Sequence, residues 1–194
     1  MKLTMGGRYK GDPSALPARQ VEGAVKFKEI DDMTKLAAFA NGMALGILAL
    51  CLGAVAARLF FRPGCFSGVK LMPLGWGLIA SNITIIFHEL LHRLCFKGEV
   101  FLYSNLKQGM MFVTGTEDMS KTRFVFMSLL PNIVFGLIPF VIFMARPQLT
   151  FFAGFGAACL SMGAGDYYNV YNAIAQVPAG AKIFMSGMNS YWHI

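Results

Sequence analysis

Hydrophobic positions in this chain come in long runs. A membrane-crossing helix needs about 20 mostly apolar residues, and four stretches meet that length: 36–61, 71–96, 124–145 and 149–175. The first is broken by Asn41 and, near its end, Arg58, and the third is plainly apolar. The second and fourth begin apolar and gather polar residues late. This pattern predicts an all-α membrane protein, a bundle of four transmembrane helices. Between the second and third runs, 100–104 (VFLYS) and 110–114 (MMFVT) are β-prone and flank the turn-like 105–109 (NLKQG), which predicts a short cytoplasmic β-hairpin. The expected organisation is a cytoplasmic N-terminal segment (1–35), a four-span domain (36–176) and a cytoplasmic tail (177–194). Residues 1–35 mix charges with Gly and Pro and read as a flexible tail leading into a surface helix. They contain no apolar stretch of the signal-peptide kind, so insertion is expected to use the internal spans.

Composition sharpens this picture. Of 194 residues, 56% are apolar and only 14% charged, where a soluble domain carries about a quarter charged residues. An ordinary water-soluble globule is excluded, and so is a disordered chain, which would be apolar-poor and charge-rich. The net charge is +7. In a membrane protein such an excess faces anionic lipid, so nucleic acid is not an expected partner. Seven Lys/Arg lie in the N-terminal segment, five between the second and third spans and one in the tail, against four in the other two connections. The positive-inside rule then puts both termini in the cytoplasm of a multi-pass cell-membrane protein. Cys51, Cys65, Cys95 and Cys159 have neither metal-finger nor disulfide-framework spacing and read as reduced small hydrophobes. Trp76, Trp192 and the tyrosines 167, 168 and 171 read as interfacial anchors, and His193 as part of a solvated tail.

Eight of the ten acidic residues lie outside the apolar runs; the other two are Glu89 and Asp166. An ionisable group at membrane depth costs at least about 2.5–3.5 kcal/mol, so each marks a candidate functional position. Glu89 belongs to His88-Glu89-Leu90-Leu91-His92, an HExxH pattern that holds two of the three histidines in the chain. On a helix, residues i and i+4 share a face, so His88 and His92 can offer two imidazoles to one metal ion. Glu89 leans to the same side, where it can take a proton from an attacking water and hand it to a leaving amine. Catalytic zinc (Zn2+) takes a third protein ligand and keeps one open position. Asp166 is the natural third ligand, because no basic residue lies mid-span to pair with it.

Depth supports the assignment. At about 1.5 Å per residue, His88 and Asp166 each sit roughly 13–15 Å from the cytoplasmic ends of their spans. Asn132 reaches roughly 12 Å from the same side in the third span. Asn132 and Asn169 are weaker candidates for binding a substrate carbonyl or an oxyanion, since interhelical Asn hydrogen bonds are common.

With its HExxH late in one span, Leu130-Pro131-Asn132 opening another and Gly165-Asp166 late in the last, the chain resembles a family of small bacterial membrane proteins described as zincin peptidases. It is more distantly similar to the site-2 class of intramembrane metalloproteases. The resemblance covers about 71–175. It implies a zinc-dependent peptidase with His88, His92 and Asp166 as ligands, Glu89 as acid/base and a peptide or membrane protein as substrate. Asp166 is followed by Tyr167, where site-2 proteases carry Gly. The free edge of the expected hairpin, next to the HExxH helix, would hold an extended peptide by strand addition. Two other classes compete: a non-catalytic metal-binding scaffold or adaptor, and a metal or proton carrier. Structural zinc favours four closed ligands, usually with Cys, and four spans without inverted repeats make a poor transporter.

Overall fold

The computed structural model describes residues 2–61, 69–105 and 110–194. Cys65, Arg62 and the turn residues 106–109 lie outside the described residues. In chain order the strands are β1 (Lys2–Arg8), β2 (Val25–Lys26), β3 (Glu99–Asn105), β4 (Met110–Thr114), β5 (Met119–Ser120), β6 (Lys182–Ser186) and β7 (Asn189–His193). The helices are α1 (Met33–Phe60), α2 (Met72–Ala80), α3 (Thr84–Leu94), α4 (Lys121–Pro131), α5 (Ile138–Ala145), α6 (Thr150–Met162) and α7 (Ala164–Gln176). A 3-10 turn (Ser81–Ile83) joins α2 to α3, and a π-helical stretch (Asn132–Leu137) joins α4 to α5. The described residues form two compact units: 38–88 with 130–165, and 1–37 with 89–129 and 166–194.

The first of these is helical. Three continuous helical segments are long and apolar enough to cross a membrane: Thr34–Phe60, Met72–Leu94 and Lys121–Ala145. The start of α1 is fixed by Asp32, whose carboxylate accepts from the Thr34 and Lys35 backbone N–H groups at 2.8 and 2.9 Å, an N-cap. Asp32 and Thr34 place the helix start a few residues before the apolar run begins. The fourth apolar stretch departs from expectation. It is broken at Gly163, which leaves the helical region at φ −76, ψ 11. Its first half, α6, has 13 residues, about 20 Å, too short to cross a bilayer alone. A run of small residues lets α6 sit in the middle of the unit. A Cβ on Gly77 of α2 would fall 2.1 Å from the Phe151 carbonyl oxygen, and one on Gly154 of α6 would fall 2.1 Å from that of Leu74. The two backbones therefore touch where neither residue has a side chain. Ala153 packs with Val55, Leu59 and Phe143 in the apolar cluster of this unit.

The second unit corrects the all-α expectation, because it holds two β-sheets. One has strand order β1-β3-β4 and the other β2-β7-β6-β5. The expected hairpin is present: β3 and β4 pair antiparallel, from Phe101↔Thr114 to Asn105↔Met110. The N-terminal residues are not a loose tail, since β1 adds to β3 in parallel, Lys2↔Glu99 through Arg8↔Ser104. Gly6 is needed there, as a Cβ would stand 2.3 Å from the Tyr103 ring. The C-terminal residues form the β6–β7 hairpin around Gly187 at φ 63, the positive φ that a two-residue hairpin turn asks of its first residue. His193 is a strand residue with its Nε2 3.1 Å from Asp118 Oδ1, and Arg19 bonds the same carboxylate at 2.9 and 3.1 Å. Burial works against the charged form of Asp118, but these two partners outweigh it and hold the carboxyl below the usual range. Trp192 packs against the unit's main apolar core, which includes Phe96, Val100, Phe124 and Ile183.

A strap at residues 27–30 ties this unit together. The Phe27 N–H donates to the Ser190 carbonyl (2.9 Å), that of Lys28 to Gln176 Oε1 (2.7 Å) and that of Ile30 to the Tyr168 hydroxyl (3.2 Å). Glu29 accepts from the Ser190 N–H at 2.8 Å. Burial raises its carboxyl to about 7, against that hydrogen bond and nearby Lys26. Gln176 and Tyr168 are both on α7, so the strap fixes the helix that carries Asp166.

Candidate metal centre

α3 is amphipathic for a local reason. Ile83, just before it, and Ile86, Phe87 and Leu94 on it are exposed, while Glu89 and His92 are buried on another face and His88 is half-buried. The i, i+4 spacing brings the polar groups together: one ligand atom each from His88, Glu89 and His92 lies within 4.8 Å of the others. Among the described residues this is the one cluster of three or more His, Cys, Asp or Glu side chains arranged to hold a metal ion.

Asp166 stands outside that cluster and meets one of its members, His92. Its Oδ1 lies 3.3 Å from His92 Nε2. Two donors bound tetrahedrally to zinc, at about 2.0–2.2 Å each, stand roughly 3.3 Å apart, so this pair fits a shared zinc ion. The break at Gly163 helps, since it makes Asp166 a first-turn residue of α7, where the positive end of the helix dipole favours a carboxylate. The Gly163-Ala164-Gly165 sequence was the signal for that break, but small residues in an apolar run read equally well as helix packing.

The other ring nitrogen of His92 is also committed. Its Nδ1 is 2.9 Å from the Met127 carbonyl oxygen, in a buried position. A carbonyl only accepts, so Nδ1 carries a proton and donates it, the contact that holds the ring of a zinc-binding histidine in place, while Nε2 faces the Asp166 carboxylate. The Glu89 carboxylate lies near the Val113 backbone N–H on β4. These two backbone groups, Met127 C=O and Val113 N–H, escaped sequence reasoning because main-chain partners leave no residue-type signature.

A clamp fixes the C-terminal end of α3. Arg123 donates through Nε (2.7 Å) and Nη2 to the Cys95 carbonyl and, again through Nη2, to Glu117. Glu117 in turn accepts from the Lys97 N–H, at 2.8 and 3.0 Å to its two oxygens, and from the Gly98 N–H. The last carbonyls of a helix need outside donors, and the guanidinium supplies them while holding the turn into β3.

Asn132 is 3% exposed, and a Cβ on Gly163 would fall 1.7 Å from its Oδ1. Its amide thus fills the space that the glycine at the α6–α7 break leaves open. Asn169 is half-buried, three residues beyond Asp166 on α7.

Comparison with known proteins agrees with this chemistry. The profile of the family described as "Putative zincin peptidase" matches residues 82–182, more than half of the chain, and the chain belongs to that family. No curated protein and no solved structure matches it.

Proposed function

We propose that this protein is a zinc-dependent endopeptidase embedded in the membrane, acting near its cytoplasmic side. The observation that carries the reading is the arrangement around His92: Nδ1 tied to a backbone carbonyl and Nε2 3.3 Å from Asp166, beside His88 and Glu89 on the same helix. His88, His92 and Asp166 would hold the ion. Zinc supplies Lewis acidity there, polarising a peptide carbonyl and making water ionise near neutral pH. Glu89 takes the proton of the attacking water at a carboxylate oxygen and delivers it to the leaving amine nitrogen, two transfers from one side chain. Asn132 and Asn169 are kept as secondary candidates for binding substrate carbonyls. The three apolar helices are read as spans, with the N-terminal segment and the connection carrying β3 and β4 on the cytoplasmic side by the distribution of Lys and Arg.

Substrate would lie along β4. It is the outer strand of its sheet, with no strand on its far side among the described residues, and Val113 on it faces Glu89. An extended peptide added to this edge brings its backbone to the carboxylate that must accept the proton. The test is Glu89→Gln in purified protein, with zinc content measured beside hydrolysis of a peptide library. Zinc should stay at the wild-type level while hydrolysis falls by about 10^2–10^4. Undiminished hydrolysis would remove Glu89 from the reaction. A wild type that binds zinc and cleaves nothing in a broad library would favour a metal-binding scaffold.

A further inference from the structure

We infer that Pro131 is a positioning residue for the metal centre, acting through the Met127 carbonyl on the orientation of His92; this rests on the reading of His92 as a ligand. In an α-helix the N–H of residue i bonds the carbonyl of residue i−4. The donor owed to Met127 is therefore the N–H of residue 131. Position 131 is proline, inside α4 and fully buried, and proline has no N–H to give. The Met127 carbonyl instead accepts from His92 Nδ1 at 2.9 Å.

Proline acts on this carbonyl twice. It removes the competing donor, and its ring crowds the oxygen of residue i−4 and tilts it off the helix axis, toward a side chain approaching from outside. The helix gives up regularity for this: directly after Pro131 it winds as a π-helix over Asn132–Leu137, a distortion of the kind that marks functional positions. Any other residue at 131 would bring back an N–H aimed at the Met127 oxygen. The oxygen has two lone pairs, so the restored bond would not expel His92 but would draw the oxygen back toward the helix axis, weakening its hold on Nδ1 and loosening the orientation of the imidazole.

The experiment is Pro131→Ala in the full-length protein in detergent micelles. Alanine is the best helix former and restores an ordinary backbone bond, against the small cavity left by the buried ring, and circular dichroism checks that the variant is folded. Zinc affinity is measured by competition with a chromophoric chelator, and the hydrogen bond at His92 Nδ1 by nitrogen-15 spectra of the zinc-free protein. Zinc should bind at least about tenfold more weakly, the usual size when a group supporting a ligand is lost, and the His92 Nδ1 resonance should shift toward that of a weaker hydrogen bond. Pro139→Ala, which also returns an N–H to the same apolar segment but opposite a different carbonyl, should bind zinc like wild type. Equal affinity in Pro131→Ala and wild type, or an equal loss in Pro139→Ala, overturns the inference. Should wild type itself bind no zinc, the ligand reading falls, and an unchanged Nδ1 resonance in Pro131→Ala overturns the role of the proline as well.

Discussion

The two units of this protein share one chain but not one chemistry. All ten acidic residues lie in the sheet-containing unit and none in the helical one, whose charges among the described residues are Arg58, Lys70 and Arg146. The helical unit is held by apolar contact and by glycines that let backbones touch. The other is held by directed bonds: the strap on α7, the Arg123 clamp on α3 and the Asp118 pairings. Glu89 and Asp166 are each the first residue of a segment of that second unit. The comparison shows that one chain can gather its acidic groups into one unit and leave the other almost wholly apolar.

That difference can be broken first on the helical side. Gly154→Val puts a side chain where 2.1 Å separates a Cβ from the Leu74 carbonyl. Its cost should reach about 3 kcal/mol, the upper end for overpacking, and appear as a large drop in thermal unfolding temperature by circular dichroism in micelles. Gly46→Val makes the same chemical change on α1, where a Cβ meets nothing within 4 Å; it should shift the unfolding temperature little. Equal effects at both positions would show that close packing does not set the stability of this unit.

A smaller effect separates the other unit by pH. The Glu29 carboxyl is raised from 4.5 to about 7, so the folded state prefers it protonated. Its stabilising contribution is complete below about pH 4.5 and is lost as pH climbs through 7. Glu29→Gln keeps an acceptor for the Ser190 N–H and should remove that slope. The variant should be more stable than wild type at pH 8, by on the order of 2 kcal/mol, and no more stable at pH 4. Parallel unfolding curves across that range would contradict the burial of this group.

How much of this was legible depended on sequence distance. HExxH was readable because its members are one helical turn apart, and the β3–β4 hairpin because only four residues separate its strands. Asp166 was singled out by energy, as a carboxylate costly to place in an apolar run without a partner. The parallel pairing of β1 with β3 joins residues almost a hundred positions apart, and nothing local in Lys2–Arg8 announces it. The β6–β7 hairpin did have a local signal, Ser186-Gly187-Met188-Asn189 between two β-prone runs, but its closeness to the C-terminus favoured reading it as a tail. The break at Gly163 and the freed carbonyl at Met127 turn on backbone geometry, which residue type only partly encodes.

The central claim is that α3 and α7 present ligands to one zinc ion. Metal analysis of purified wild type beside Asp166→Ala, with His92→Ala as the reference for a lost ligand, tests it directly. The account predicts one zinc per chain in wild type and near-complete loss in both variants after dialysis against a weak chelator. Zinc retained in Asp166→Ala at the wild-type level, while His92→Ala loses it, would contradict the shared site and leave α7 without a part in binding the metal.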